Sequence, residues 1–494
     1  MQILRDGVYE DIGSKNYAMA TEYDSFGRVV KETYPSGYYT ENIYDSNGHL
    51  TRITDSANRP IWMAVYENAR RQPTLEALGG MIGLYHEYND KGQLISSRSP
   101  FTHWLYSYND KGNLERRTDG STGQREEFGY DALNRLLQWD IYRGNTLQTS
   151  NNMSYNSAGN IVNKRDLGIH LTMSYGANGK PHALTSITGV PSVFPQADLH
   201  VTYTDFKKVK ILSEGNKFYE ITYGGDEQRR KSEYYEDNVL RETRYYFGNY
   251  EEKTDHITGI TEKIHYLSGA IYIERSNGRN NFYHALTDNI GSLIALVHEI
   301  TGIVAERYAY DPWGVRRNPT NWTQNDNRST WIVNRGYTGH EMLDKFGVIN
   351  MNGRVYDPLT AQFFSPDPFV QAPENWVNYN RYLYVFGNPF KYTDPTGEIG
   401  RWVDGNNFDT RPMNIRGLET GSAWNIYPGG YSPYSMYSGS SNYAGFHSAG
   451  SSFNNPSLAS YSHSTALEGV NMMGTNNRSA MDLAMEAWNS GAGH

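Results

Sequence analysis

A tyrosine followed by aspartate or asparagine recurs along the first part of the chain, and glycine or asparagine stands three residues beyond each of these pairs. The Asp or Asn side chain bonds main-chain N–H groups within a turn, while Gly or Asn tolerates the positive φ that the turn requires. Each unit therefore predicts a strand, a tight turn and a second strand. The six strongest units are Tyr23, Asp24 and Gly27; Tyr44, Asp45 and Gly48; Tyr88, Asn89 and Gly92; Tyr108, Asn109 and Gly112; Tyr130, Asp131 and Asn134; and Tyr155, Asn156 and Gly159.

These units form an internal repeat. Successive tyrosines lie 20 to 28 residues apart when weaker units at Tyr66, Tyr175, Tyr203 and Tyr223 are included. About 20 residues suffice for two short strands and two turns, so each repeat is one hairpin, and hairpins must stack to build a core. The 494 residues include 41 Tyr and 48 Gly but are only 38% hydrophobic. We therefore expect an all-β protein whose core depends on aromatic rings; the alternative is a turn-rich β domain without true repeats.

The repeats resemble the YD/RHS repeats of bacterial Rhs proteins, of the C component of Tc toxins and of animal teneurins. Later segments are similar to the late repeats and to the RHS repeat-associated core of that family: Tyr283–Leu293, Tyr308–Gly314, Gly336–Glu341, Asn352–Pro358, Phe364–Pro368 and Asn388–Gly397. The resemblance covers roughly residues 1–397. It implies that the YD-repeat hairpins spiral into a hollow β shell, which the associated core plugs.

Three regions follow from this interpretation. Residues 1–280 are the repeat shell, residues 281–397 the RHS repeat-associated core, and residues 398–494 a variable segment rich in Gly, Ser, Tyr and Asn. No Asp, Glu, Lys or Arg occurs from Gly421 to Leu467, so we expect a mostly irregular tail. One short helix is predicted near its end, where Met481, Ala484, Met485 and Trp488 share a face. Because the chain opens directly in a repeat, we expect it to be the C-terminal part of a longer protein.

Composition excludes several classes of site. The chain has no cysteine, so disulfides, Cys-type zinc sites and thiol nucleophiles are absent. The net charge of −9 argues against nucleic-acid binding by the shell. No apolar run approaches the roughly 20 residues that a membrane-spanning helix needs. We predict neither a cofactor nor a metal site.

The resemblance implies one catalytic site. In the family, aspartates of the core can cut the chain after the final Asp-Pro-x-Gly, and the matching residues here are Asp367 and Asp394, with the scissile bond between Gly397 and Glu398. Two neighbouring carboxyls can share a proton, so that one donates it while the other activates water. The alternative is that both aspartates only cap Asp-Pro turns.

This chain departs from the cleaving pattern in two places. Gln362 stands where the family has arginine, which removes a cation that could support an ionised aspartate. Glu398 stands where an apolar residue is usual, and its charge would raise the pKa of a nearby carboxyl. We therefore expect the chain to stay whole.

The sequence leaves two functions open. The first is a non-enzymatic carrier: the C-terminal part of an exported bacterial protein of the polymorphic-toxin type, which encloses and delivers its own C-terminal segment in competition between bacteria. The second is a cell-surface adhesion or glycan-binding protein. Either would be secreted or held at the cell surface, with export signals upstream. Expected partners are the C-terminal segment itself, an immunity protein or secretion machinery, and, for the second function, surface glycans.

Overall fold

The structure is a computed structural model that describes residues 4–192 and 194–403. The predicted irregular tail and its short helix lie outside these residues. The described part is nearly all β, as the repeats predicted, and its helical elements are 3-10 turns only. These turns are Ala177–Gly179, Pro195–Ala197, Tyr337–Gly339, Asp344–Phe346, Trp376–Tyr379 and Tyr384–Gly387.

The first sheet holds seventeen of the described strands, each paired antiparallel with the next along the chain. This order is the one expected for consecutive hairpins. The strands are β1 Leu4–Ile12, β2 Lys15–Tyr23, β3 Val29–Thr33, β4 Tyr39–Tyr44, β5 Leu50–Asp55, β6 Pro60–Glu67, β7 Pro73–Leu78, β8 Ile82–Tyr88, β9 Leu94–Arg98, β10 His103–Tyr108, β11 Leu114–Asp119, β12 Gln124–Tyr130, β13 Leu136–Arg143, β14 Thr146–Tyr155, β15 Ile161–Asp166, β16 Ile169–Tyr175 and β17 Leu184–Thr188.

The second sheet continues the same pattern with eleven antiparallel strands in the described residues. It includes residues 281–307, at the start of the predicted associated core. The strands are β18 His200–Tyr203, β19 Val209–Glu214, β20 Lys217–Tyr223, β21 Arg229–Glu236, β22 Val239–Phe247, β23 Tyr250–Asp255, β24 Thr261–Leu267, β25 Ala270–Arg275, β26 Asn281–Thr287, β27 Leu293–His298 and β28 Val304–Arg307.

Residues 308–403, here called the plug segment, form only small sheets. Three strands pair in the first of these sheets, four in the next and two in the last. They are β29 Ala309–Tyr310, β30 Arg316–Asn318, β31 Asn321–Asn325, β32 Glu341–Leu343, β33 Val348–Asn350, β34 Val355–Asp357, β35 Gln362–Phe363, β36 Tyr392–Thr393 and β37 Arg401–Trp402. Buried side chains of the plug segment join those of both large sheets in one hydrophobic core.

The repeat turns have the geometry that the sequence predicts. In all six strong units the Asp or Asn side chain accepts hydrogen bonds from the N–H groups two and four residues later. Asn109, for example, accepts from Lys111 and Asn113, both at 3.0 Å. The residue three positions on has positive φ throughout, including Gly112 at +76° and Asn134 at +63°.

The signature tyrosines connect successive repeats through their hydroxyl groups. Tyr130 donates to the main-chain carbonyl of Leu114 at 2.7 Å, and this carbonyl begins the return strand of the preceding unit. Equivalent bonds run from Tyr44 to Val29, Tyr88 to Pro73, Tyr108 to Leu94, Tyr155 to Leu136, Tyr175 to Ile161 and Tyr223 to Val209, at 2.6–3.1 Å. The tyrosine therefore stabilises the stack as well as its own hairpin.

One weak unit is offset from its predicted position by a residue. Glu67, paired with Pro73, takes the place of the tyrosine, and Asn68 opens the turn. Tyr66 is 67% exposed. The register shifts between Ala64 and Tyr66, because this strand contains an irregularity that the spacing alone does not reveal.

A candidate self-cleavage site

Asp367 and Asp394 meet on one guanidinium group. Nη2 of Arg354 lies 3.0 Å from Oδ2 of Asp367 and 3.0 Å from Oδ2 of Asp394. All three residues are at most 6% exposed. The two aspartates, 27 residues apart in sequence, thus share one buried cation.

Each carboxylate also caps local backbone, as the turn interpretation expects. Oδ1 of Asp367 accepts the N–H of Phe369 at 2.8 Å, and Oδ1 of Asp394 accepts the N–H of Ile399 at 2.9 Å. One oxygen of each aspartate therefore holds its turn, while the other faces Arg354. Each aspartate therefore caps its turn and also faces Arg354, so a role in capping does not exclude a role in catalysis.

Gly397 is held directly against the same guanidinium. Nε of Arg354 donates to the carbonyl oxygen of Gly397. Gly397 has a φ of +72°, and a Cβ there would collide with the carbonyl oxygen of Met351. Only glycine fits this position. Its carbonyl is polarised by the cation that binds both aspartates.

Burial sets the acid–base behaviour of the pair. It raises the pKa of Asp367 to about 6, against the opposing effect of the Arg354 charge. Burial also raises the pKa of Asp394, again opposed by Arg354. Near neutral pH the two carboxyls are thus closer to exchanging a proton than ordinary aspartates are.

Comparison with known proteins identifies the family. Residues 23–60 match the RHS Repeat family model. The tRNA3(Ser)-specific nuclease WapA of Bacillus spizizenii is 26% identical over 268 residues, 52% of this chain and 10% of that protein. Teneurin-1 of Gallus gallus is 24% identical over 392 residues, 73% of this chain and 12% of that protein. The chain thus contains RHS/YD repeats.

The fold of this RHS/YD-repeat protein is that of a Tc toxin shell. The crystal structure of TcdB2-TccC3-Cdc42 superposes with a TM-score of 0.65 at 16% identity, covering 78% of this chain and 22% of the other. The predicted all-β shell is therefore confirmed. The chain spans about a tenth of the two relatives' length.

Arg354 was not among the predicted site residues. It lies in the segment Asn352–Pro358, which served only to mark the family, 13 residues before Asp367 and 40 before Asp394. Gln362, where the family has arginine, does not reach the carboxylates: it is buried and donates to the hydroxyl of Tyr175. The cation that seemed to be missing at position 362 is supplied by Arg354.

The second departure, Glu398, is also compensated. Its carboxylate lies 3.2 Å from Nζ of Lys208, which immediately precedes β19 in the second sheet. Sequence analysis could not pair these residues, which are 190 positions apart. The anion next to the candidate scissile bond therefore faces a cation.

A small cavity of about 20 Å³ adjoins the site. Arg354, Asp367 and Asp394 line one part of it, and Gln371 and Arg381 another. A polar cavity of this kind can admit the water that hydrolysis requires. Among residues 4–192 and 194–403, no three side chains converge as a metal site, and no helix is long and apolar enough to cross a membrane.

Proposed function

We propose that this protein is a carrier, the C-terminal part of an exported bacterial RHS protein that encloses and delivers its own C-terminal segment in competition between bacteria. The observation that carries the proposal is the buried start of that segment: Glu398 is 8% exposed and follows directly on the buried Gly397. Residues 398–494 thus begin at a buried point of the described structure. The similarity to a nuclease and to a Tc toxin shell agrees with this role.

Buried charges fasten the plug segment to the first sheet. Asp311 of the plug lies 3.6 Å from Nζ of Lys164, and Arg317 of the plug pairs with Glu126. Lys164 and Glu126 belong to β15 and β12. Separating these groups would leave buried charges without partners, which costs several kcal/mol for each.

A second set of charges fastens the plug to the other sheet. Arg335 donates to Glu251 of β23 at 3.1 Å, and Glu341 pairs with Arg229 of β21. The plug again supplies one cation and one anion. A segment fixed to both walls in this way is suited to closing a container, which is the role we assign to it.

We also propose that the chain cuts itself between Gly397 and Glu398. The sequence predicts an intact chain because Gln362 replaces an arginine and Glu398 adds a negative charge. In the structure Arg354 supplies a cation to both aspartates, and Lys208 pairs with Glu398. Water adds to the Gly397 carbonyl carbon while one aspartate accepts its proton, and Arg354 stabilises the oxyanion. The C–N bond then breaks as the other carboxyl protonates the leaving nitrogen, which yields the Gly397 carboxylate and the Glu398 amine.

The cleavage proposal is tested by intact mass spectrometry of the purified chain. We expect two fragments, 1–397 and 398–494, and a single uncut chain for Asp394→Asn, which keeps the size of the side chain and removes its charge. Asp110→Asn, in an exposed repeat turn, is the matched control and should be cut like the wild type. An uncut wild-type chain would overturn the cleavage proposal and leave the carrier proposal standing.

The carrier proposal is tested separately by proteolysis of the native protein. We expect residues 404–494 to survive a broad-specificity protease for as long as the shell does, and to be digested once the shell is unfolded in urea. Immediate digestion of residues 404–494 while the shell remains intact would overturn the proposal and favour the adhesion alternative.

One observation favours that alternative. Tyr66 and Tyr85 are 67% and 49% exposed and both lie in register with Leu75 on the strand between them. Their backbones are therefore about two strand spacings, or roughly 10 Å, apart on one sheet. Exposed rings of this kind can stack on sugars, so loss of glycan binding in Tyr66→Ala/Tyr85→Ala would support adhesion.

A further inference from the structure

The side chain of Glu398 occupies a pocket next to Lys208 and Gly353, directly after the candidate scissile bond. Its carboxylate lies 3.2 Å from Nζ of Lys208, and both side chains are only 10% exposed. Gly353 leaves room for it, because a Cβ at that position would lie 2.6 Å from Cγ of Glu398. The pocket therefore combines a cation with space for an acidic side chain.

Lys208 is fixed in place by the repeat turn that precedes β19. Its N–H bonds the hydroxyl of Thr204 at 3.1 Å, and its Nζ donates to the carbonyl of Glu227, in the next turn, at 3.0 Å. A lysine held at both ends loses little further freedom when it pairs with Glu398. The cation is thus presented by the shell wall rather than by the plug.

The residues after Glu398 are held as well. Gln371 donates to the carbonyl of Glu398 at 2.6 Å and accepts the N–H of Gly400 at 2.9 Å. Arg401 then pairs with Thr393 in β36–β37. Because both sides of the Gly397–Glu398 bond are fixed, a change in the Lys208 contact is transmitted to the bond itself.

We propose that Lys208 is a positioning residue that makes the cleavage site specific for an acidic residue immediately after Gly397. This inference rests on the proposed self-cleavage. It explains how the chain accommodates Glu398 where the family has an apolar residue: the shell wall carries the compensating charge. Lys208→Glu should therefore change the preferred residue after Gly397 from an acidic to a basic one.

Charge reversal tests the specificity. The full chain is synthesised in a cell-free system and the appearance of the 398–494 fragment is followed over time. We expect Glu398→Lys to slow cleavage at least about tenfold, the equivalent of one 1.4 kcal/mol step, and Lys208→Glu added to it to restore most of the rate. Equal rates for the single and double variants would overturn the proposal. Lys208→Arg, which keeps the charge, should cleave within about threefold of the wild type.

The pH profile separates positioning from a merely structural role. The charge of Glu398 raises the pKa of both Asp367 and Asp394, and Lys208 lies against that charge. Lys208→Met should therefore move the pH–rate profile to higher pH, and Glu398→Gln added to it should move the profile back. Lower rates with an unchanged profile would show that Lys208 only supports the fold.

A third measurement distinguishes failure of this inference from failure of the cleavage proposal. In Asp394→Asn, which is not expected to cut itself, hydrogen exchange of the Ile399 and Gly400 amides reports how firmly the segment is held. We expect Lys208→Met to speed this exchange at least about tenfold, and Lys208→Arg to leave it nearly unchanged. If no variant of the chain is cut, this result still supports or overturns the role of Lys208 as a clamp on Glu398.

Discussion

The first sheet and the plug segment are built by opposite means. In the first sheet each strand pairs with the next along the chain, and a regular turn joins the two strands of each repeat hairpin. The plug segment has few strands, and they are short. It is held by contacts with residues far away in the sequence: for example, Nζ of Lys164 donates to the carbonyls of Pro358 and Leu359, both at 3.1 Å. The repeats thus provide a wall that forms locally, and the plug depends on that wall.

Charged groups show the same contrast. In the repeat turn at Asp45, the main-chain N–H of His49 lowers the pKa of the carboxyl, so its ionised form stabilises the fold. In the plug, burial raises the pKa of Asp367 to about 6. Ionised Asp45 in the wall thus stabilises the fold, whereas burial in the plug disfavours the ionised form of Asp367, where chemistry is proposed.

The largest expected effect is removal of the cation in the plug. Arg354→Met leaves two buried carboxylates without a counter-ion and should lower the free energy of unfolding by about 3–5 kcal/mol. Arg116→Met is the matched control in the first sheet, because Arg116 of β11 pairs with Glu127 of β12 at the surface, and should cost about 1 kcal/mol or less. Urea denaturation measures both. Equal losses would show that the plug is no more dependent on its charges than the wall is.

Next comes the pH dependence of stability, which should have opposite signs in the two regions. The pKa of Asp367 rises from 3.8 to about 6 on folding, so its contribution is full below about pH 4 and is lost as the pH rises through 6. The free energy of unfolding of Asp367→Asn, measured relative to the wild type, should therefore increase by about 2–3 kcal/mol between pH 4 and pH 7. Asp45→Asn should instead lose stability relative to the wild type as the pH rises, and this change should occur below about pH 4, because folding lowers the pKa of Asp45 from 3.8. Parallel curves for the two variants would contradict the comparison.

A smaller effect is expected at the turn glycine. Gly112→Val forces a branched residue to a φ of +76° and should cost about 1–2 kcal/mol. Asp110→Val, two residues away and exposed, should change stability by less than about 0.5 kcal/mol. Thermal unfolding of the two variants gives the difference, and equal tolerance would remove the turn assignment.

The same contrast decides how far sequence alone could predict this molecule. Turns, hairpin order and the all-β shell follow from residues a few positions apart, so the spacing of Tyr, Asp and Gly was sufficient. Register at Glu67 was not predictable, because a bulge shifts it without changing the motif. At the site, Asp367 and Asp394 were predicted from the family resemblance. Arg354 lies 40 residues before Asp394 and Lys208 lies 190 residues before Glu398, so only tertiary packing brings these cations to the site and no local sequence pattern indicates them.

The smallest effect sharpens the comparison most, because it asks what the repeated tyrosine is for. The Tyr130 hydroxyl donates to the carbonyl of Leu114 at 2.7 Å and so ties one hairpin to the preceding one. Tyr130→Phe keeps the ring and removes this bond, so we expect a loss of about 0.5–1.5 kcal/mol in urea denaturation. Tyr66→Phe, exposed and outside the tyrosine position, is the control and should be neutral. If both variants are neutral, the tyrosines act through their rings alone, and the stack is held by packing rather than by a bond repeated in every hairpin.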